Sequence, residues 1–141
     1  MGKLESIPTA AQRQHLVALL QSRVPGLLAV YGFGSRVLNQ ARPDSDLDLA
    51  VLVAGYADVQ MLWELAGDLA DLVGCTVDLL DLRAASTVLQ YQIITTGQRW
   101  WVLDGQAALY ESAILSEKTT LDTARAELLA DIGKRGSVYG R

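Results

Sequence analysis

Residues 31–53 read YGFGSRVLNQARPDSDLDLAVLV, a stretch that few folds accept. An apolar run ends in a Gly34-Ser35 turn, ten residues follow, and Asp46 and Asp48 then stand one residue apart where a second apolar run begins. Residues i and i+2 of a strand face the same way, so the two carboxylates share a side. Around them Leu47, Leu49, Ala50, Val51, Leu52 and Val53 read as buried strand. Carboxylates at the mouth of a buried strand are costly unless paired or metal-bound. A conflict of this kind between local pattern and burial is where function is expected. Two hard oxygen ligands side by side suit Mg²⁺, with substrate phosphates completing its octahedron. The turn upstream offers backbone N–H groups and a hydroxyl to such phosphates. Singly the parts are ordinary, since Gly-Ser pairs mostly make turns and charges mostly sit outside. Their combination carries the inference.

The rest of the chain supplies helices and strands in alternation. Thr9 to Gln12 is a capping-box pattern opening a helix that turns Leu16, Val17, Leu20 and Val24 inward, and Pro25-Gly26 ends it. Leu27–Phe33 has the length and composition of a strand. The polar loop with Pro43 should cross the surface. Asp58 is a candidate N-cap for a helix with Leu62, Leu65, Leu69 and Leu72 on one face, and Gly74 is placed as its C-cap. Residues 75–82 read as a third strand, with Asp78 on one face and Asp81 on the other. Ser86 or Thr87 caps a further helix closed by Gly97. Residues 100–103 form a short apolar run of strand type, and residues 105–132 are helix-like. Strands alternating with helices define an α/β or α+β domain. We expect a single domain over residues 1–133 with a flexible tail, 134–141.

Composition excludes several classes of protein. The chain has 141 residues, half of them hydrophobic and a fifth charged, enough for one domain with a real core. No apolar run approaches the roughly 18 residues of a membrane span, and MGKLESIPTA lacks the apolar core of a signal peptide, so cytoplasmic residence is the expectation. One Cys75 and one His15 leave neither an intrachain disulfide nor a Cys/His zinc site. Cys75 reads as a small core residue and His15 as a helix-face residue. A net charge of −4 argues against a sequence-independent grip on nucleic acid and suits a basic partner protein. Trp63, Trp100 and Trp101 read as core or interface residues, with base stacking as the alternative.

The GS-x10-DxD spacing and its flanking RPDSDLDL run resemble the signature of the DNA polymerase β-like nucleotidyltransferase superfamily, in particular its minimal nucleotidyltransferases. The later stretch WELAGDLADLVGCTVDLLDLRAASTVLQYQIITTGQRWW is similar to MntA-type antitoxins, the nucleotidyltransferase half of HEPN/MNT toxin–antitoxin pairs. The likeness runs from about residue 27 to 103. It implies a nucleotidyltransferase fold, a small mixed β-sheet with helices packed on one face, extended here by the long C-terminal helix. It also implies that Gly34 and Ser35 hold the β and γ phosphates of ATP. One departure is visible: many relatives have a glycine soon after the Gly-Ser pair where this chain has Asn39 and Gln40, and Asn tolerates left-handed backbone.

Asp46 and Asp48 are the expected metal ligands for Mg²⁺ chemistry of the two-metal type, in which ions about 4 Å apart serve the attacking and leaving oxygens. A third carboxylate would complete the site and accept a proton. Asp78 is favoured by strand parity and matches the family's third aspartate, whereas Asp81 has opposite parity and faces elsewhere or caps the strand. Arg36 either offsets charge beside the turn or is simply exposed. Asp44 supports the site or is a turn residue after Pro43. The resemblance implies an ATP-dependent adenylyltransferase acting on a tyrosine of a HEPN-family ribonuclease toxin. Two alternatives stand beside it: an antitoxin that blocks the toxin by binding alone, and a small-molecule nucleotidyltransferase of the aminoglycoside-modifying type. Three converging carboxylates argue against the first, and the lack of room for a second helical domain against the second.

Overall fold

The computed structural model describes residues 8–34 and 45–134. The first helix, α1 (Ala10–Arg23), opens with the expected capping box: the Thr9 hydroxyl accepts from the Gln12 amide, and the Gln12 side chain accepts from the Thr9 amide. Gly26 takes φ +67°, which a tight reversal into the sheet requires. The strand β1 follows over Leu27–Phe33, and β2 spans Leu47–Val53. The helix α2 (Val59–Val73) begins at an Asp58 cap and ends at Gly74 in the left-handed conformation. After it come β3 (Val77–Asp81), a 3-10 turn at Leu82–Ala84, α3 (Thr87–Thr96) capped by Ser86, β4 (Gln98–Val102) and α4 (Gln106–Lys134). The expected flexible tail lies outside the described residues from 135 onward.

The four strands form one mixed sheet in the order β3-β2-β1-β4. β1 is antiparallel to both β2 and β4, while α2 carries the chain over so that β3 runs parallel to β2. Alternation along β2 divides the core. Leu47, Leu49, Val51 and Val53 pack with Leu16 and Leu20 of α1 and Leu62, Leu65 and Leu69 of α2. Ala50 and Leu52 face the other way, toward Leu82, Ile93 of α3 and Ala107 of α4. Helices on one face therefore describe α1 and α2; α3 and the first turns of α4 lie against the opposite side. Asp48 belongs to this second side, at the end of β2 where the cover stops.

Several boundaries differ from the sequence reading. β3 begins at Val77 rather than 75, and the half-buried Cys75 packs against the α1–α2 core just before it. β4 starts two residues earlier than the apolar run because Gln98 and Arg99 pair with Gly32 and Tyr31 at the sheet edge. Trp100 and Trp101 pack partly against the core, whereas Trp63 is 79% exposed. On α4, Leu109 and Leu128 point outward, and the helix meets the body through Ala107, Tyr110, Glu111 and Ile114.

Candidate functional site

The Leu47 amide donates to the Thr76 carbonyl (2.9 Å), which aligns the starts of β2 and β3. The parallel ladder then sets Asp48 directly beside Asp78. Neighbouring strands lie about 4.8 Å apart, so two carboxylates on the same face meet at close range. Asp46 precedes β2 by one residue and shares the parity of Asp48. All three sequence-selected acids thus come to one corner of the sheet. Asp46 and Asp78 are exposed and Asp48 is half-buried.

Burial holds the Asp48 carboxyl up, and the negative charges of Asp78 and then Asp46 push it further, from an ordinary 3.8 to about 6. Among the described residues no ion pair reaches any of the three. Nor do three His, Cys, Asp or Glu side chains among those residues converge on a point suited to an ion. The negative charges of Asp46 and Asp78 acting on Asp48 are what a divalent cation at this corner would offset. A hard-oxygen donor set with one half-buried member raised by its neighbours fits Mg²⁺.

Gly34 forms the adjoining wall. Its φ of +84° is left-handed, and a Cβ built there would stand 2.1 Å from the Asp48 Oδ2. Any side chain would collide with the carboxylate, so only glycine fits at this position against Asp48. Ser35, Arg36, Asn39, Gln40 and Asp44 lie outside the described residues.

Asp81 is separate from this corner. Buried on the other parity, it accepts from the Ala57 amide (2.9 Å) and the Arg83 amide (3.0 Å), tying the entrance of α2 to the 3-10 turn. Asp78, not Asp81, is the neighbour of Asp48. A further feature escaped the sequence reading. An open groove of about 820 Å³ runs between α2 and the outer edge of β3 and reaches Asp78. Its one sequence signal is Gly67, a helix-weakening residue inside an otherwise strong helical pattern.

A mixed sheet presenting paired aspartates beside Gly34 is the arrangement of a nucleotidyltransferase, and the chain matches the family described as Polymerase beta, Nucleotidyltransferase over residues 14–102. It belongs to that family. Among its curated relatives is the Protein adenylyltransferase MntA of Shewanella oneidensis, 36% identical over 117 residues that cover 83% of this chain and 84% of the relative. Solved structures agree. A toxin–antitoxin crystal structure with AMP-PNP superposes with a TM-score of 0.76 at 35% identity, covering 85% of this chain and 97% of that one. The Shewanella oneidensis complex of a tri-AMPylated HEPN toxin with an MNT antitoxin gives 0.71 at 34% identity, covering 86% and 96% respectively.

Proposed function

We propose that this chain is an antitoxin that works as a Mg²⁺- and ATP-dependent protein adenylyltransferase, moving AMP to a tyrosine of a HEPN-family ribonuclease toxin. The observation that carries the proposal is the Asp48–Asp78 pair on adjacent parallel strands, with Asp46 on the same open face and Gly34 against it. The relationship to an adenylyltransferase and to structures of AMPylated and AMP-PNP-bound pairs supports the choice of nucleotide and acceptor. A cytoplasmic location goes with this reading; among the described residues no helix is long and apolar enough to cross a membrane.

In the proposed reaction the tyrosine oxygen attacks the α-phosphorus of ATP. A new O–P bond forms, the bond to the bridging α–β oxygen breaks, and pyrophosphate leaves with its electron pair. Mg²⁺, when bound, would supply charge neutralisation for the triphosphate and favour loss of the phenolic proton. Asp46 and Asp48 would hold the metal, and Asp78 would be a third ligand and accept the proton from a phenol whose ordinary pKa is about 10. The backbone at Gly34 and Ser35 holds the β and γ phosphates, and Arg36 offsets charge beside them.

The test follows label from α-phosphate-labelled ATP into a purified HEPN-domain partner. With Mg²⁺ the wild type should transfer label and release pyrophosphate, and EDTA or Asp48→Asn should stop both. A partner that stays bound to the wild type yet takes no label would favour inhibition by binding alone.

A further inference from the structure

The groove between α2 and β3 does not belong to the nucleotide corner, yet it ends there. The Leu47 amide reaches the Thr76 carbonyl, so strand alternation turns the amides and carbonyls of Val77 and Leu79 away from β2. β3 is an edge of the sheet, and among the described residues no strand pairs with its outer side. Exposed edges of this kind accept an added strand. Alongside, α2 contributes Trp63, Glu64, Ala70 and Asp71 to the groove wall. Trp63 is 79% exposed, an apolar surface with no cover among the described residues.

Gly67 lies between them, where a Cβ would meet nothing within 4 Å. Packing among the described residues gives no reason for it, and mid-helix glycine weakens a helix. The absence of a side chain does leave room for another backbone. Charge gives the character of the occupant: Glu64 and Asp71 of α2 stand along the groove, the Asp46–Asp48–Asp78 carboxylates lie on the other face of the sheet at its end, and among the described residues no lysine or arginine lines it.

We propose that this groove receives an extended, basic segment of the protein substrate, which adds to the outer edge of β3 and so delivers its acceptor residue to the carboxylates. Alternation supplies the delivery. A segment paired with β3 sends every second side chain toward α2, into the groove, and the others to the opposite face. The residue opposite Asp78 then projects its side chain on the Asp46–Asp48–Asp78 side. Strand spacing of about 4.8 Å leaves a tyrosine at that position within reach of them. This rests on the adenylyltransferase reading and adds to it how the protein substrate is read.

Two measurements test it on the full chain with its HEPN-domain partner. The first is kinetic. Gly67→Arg fills the groove, adds a repelling charge and replaces glycine with a better helix former, so its melting midpoint should not fall. Its KM for the partner should rise at least about tenfold while kcat stays within about twofold, as expected when docking contacts are lost. An unchanged KM would overturn the proposal. The second is hydrogen exchange in the wild-type complex, where the Val77 and Leu79 amides should become protected only when partner is added. Unchanged exchange there would overturn it independently of any variant. Protection in the chain alone that grows with its concentration would assign the edge to a second copy and also overturn it. Wild type that transfers no AMP would bring down the functional reading and this inference with it, whereas normal transfer with the failures above would remove the groove alone.

Discussion

Gly34 and Asp48 are bound to one another by sterics. Alanine at 34 would need both a left-handed backbone and the space that Asp48 Oδ2 occupies, so Gly34→Ala should displace the carboxylate. AMP transfer should fall by at least about a hundredfold, as expected when a reacting group moves by an ångström or so, with a stability loss of about 1–2 kcal/mol. Urea unfolding beside the transfer assay checks both, and a variant with wild-type transfer would contradict the contact. Asp48 makes a prediction of opposite sign for stability. Its folded pKa, about 6, lies above the ordinary 3.8, so the folded state binds the proton more tightly than the unfolded. Metal-free stability should therefore decline as pH rises from about 4 to 6 and stay reduced above. The full difference would be about 3 kcal/mol at 1.36 kcal/mol per pH unit, and exposure to solvent reduces it to the order of 1 kcal/mol. Asp48→Asn should accordingly stabilise the metal-free protein at pH 7 by about that much, lose the advantage near pH 4, and abolish transfer. Mg²⁺ should stabilise the wild type at pH 7 and not the variant; equal Mg²⁺ stabilisation of both would remove Asp48 as a ligand.

At the scale of elements, α4 is held by a buried tie. Tyr31 of β1 donates to the Glu111 carboxylate at 2.6 Å, and Arg99 of β4 donates to both of its oxygens, one at 3.0 Å. Burial first, then the bond to Glu111, drives the Tyr31 hydroxyl far above its ordinary pKa, so it stays a donor. Tyr31→Phe should cost about 1 kcal/mol. Glu111→Ala should cost more, about 2 kcal/mol, because it orphans the buried hydroxyl while half-exposed Arg99 turns to water. Thermal unfolding of the two variants ranks them, and equal stability would contradict the tie. This tie also marks where sequence reading stops. Local signals were legible: the Thr9 box, the β1 run, the Asp58 and Gly74 caps, and the parity that separates Asp78 from Asp81. Each depends on residues a few positions apart. Glu111 lies 80 residues from Tyr31, and on a helix face an acid reads as solvated. The division of helices between both sheet faces depends equally on long-range packing. So does the groove beside β3, visible in sequence only as an unexplained glycine.

Seen whole, the molecule puts the proposed chemistry at one corner of a four-stranded sheet, with Gly34 against Asp48 and an open edge beside Asp78. Asp48 and Asp78 are brought together by the β2–β3 register, and that register depends on α2 returning the chain in parallel. A chain with net charge −4 and an acid-lined groove should hold a basic partner less well as salt screens the attraction. The partner's KM should therefore rise with ionic strength; a flat response between about 50 and 300 mM salt would show that charge does not guide docking. The most direct measurement of the central claim is the intact mass of the HEPN-domain partner after co-expression with this chain, wild type against Asp46→Asn/Asp48→Asn. AMP-sized increments with the wild type and none with the double variant are the predicted result. An unmodified partner in both, or increments in both, would contradict the assignment of these aspartates to AMP transfer.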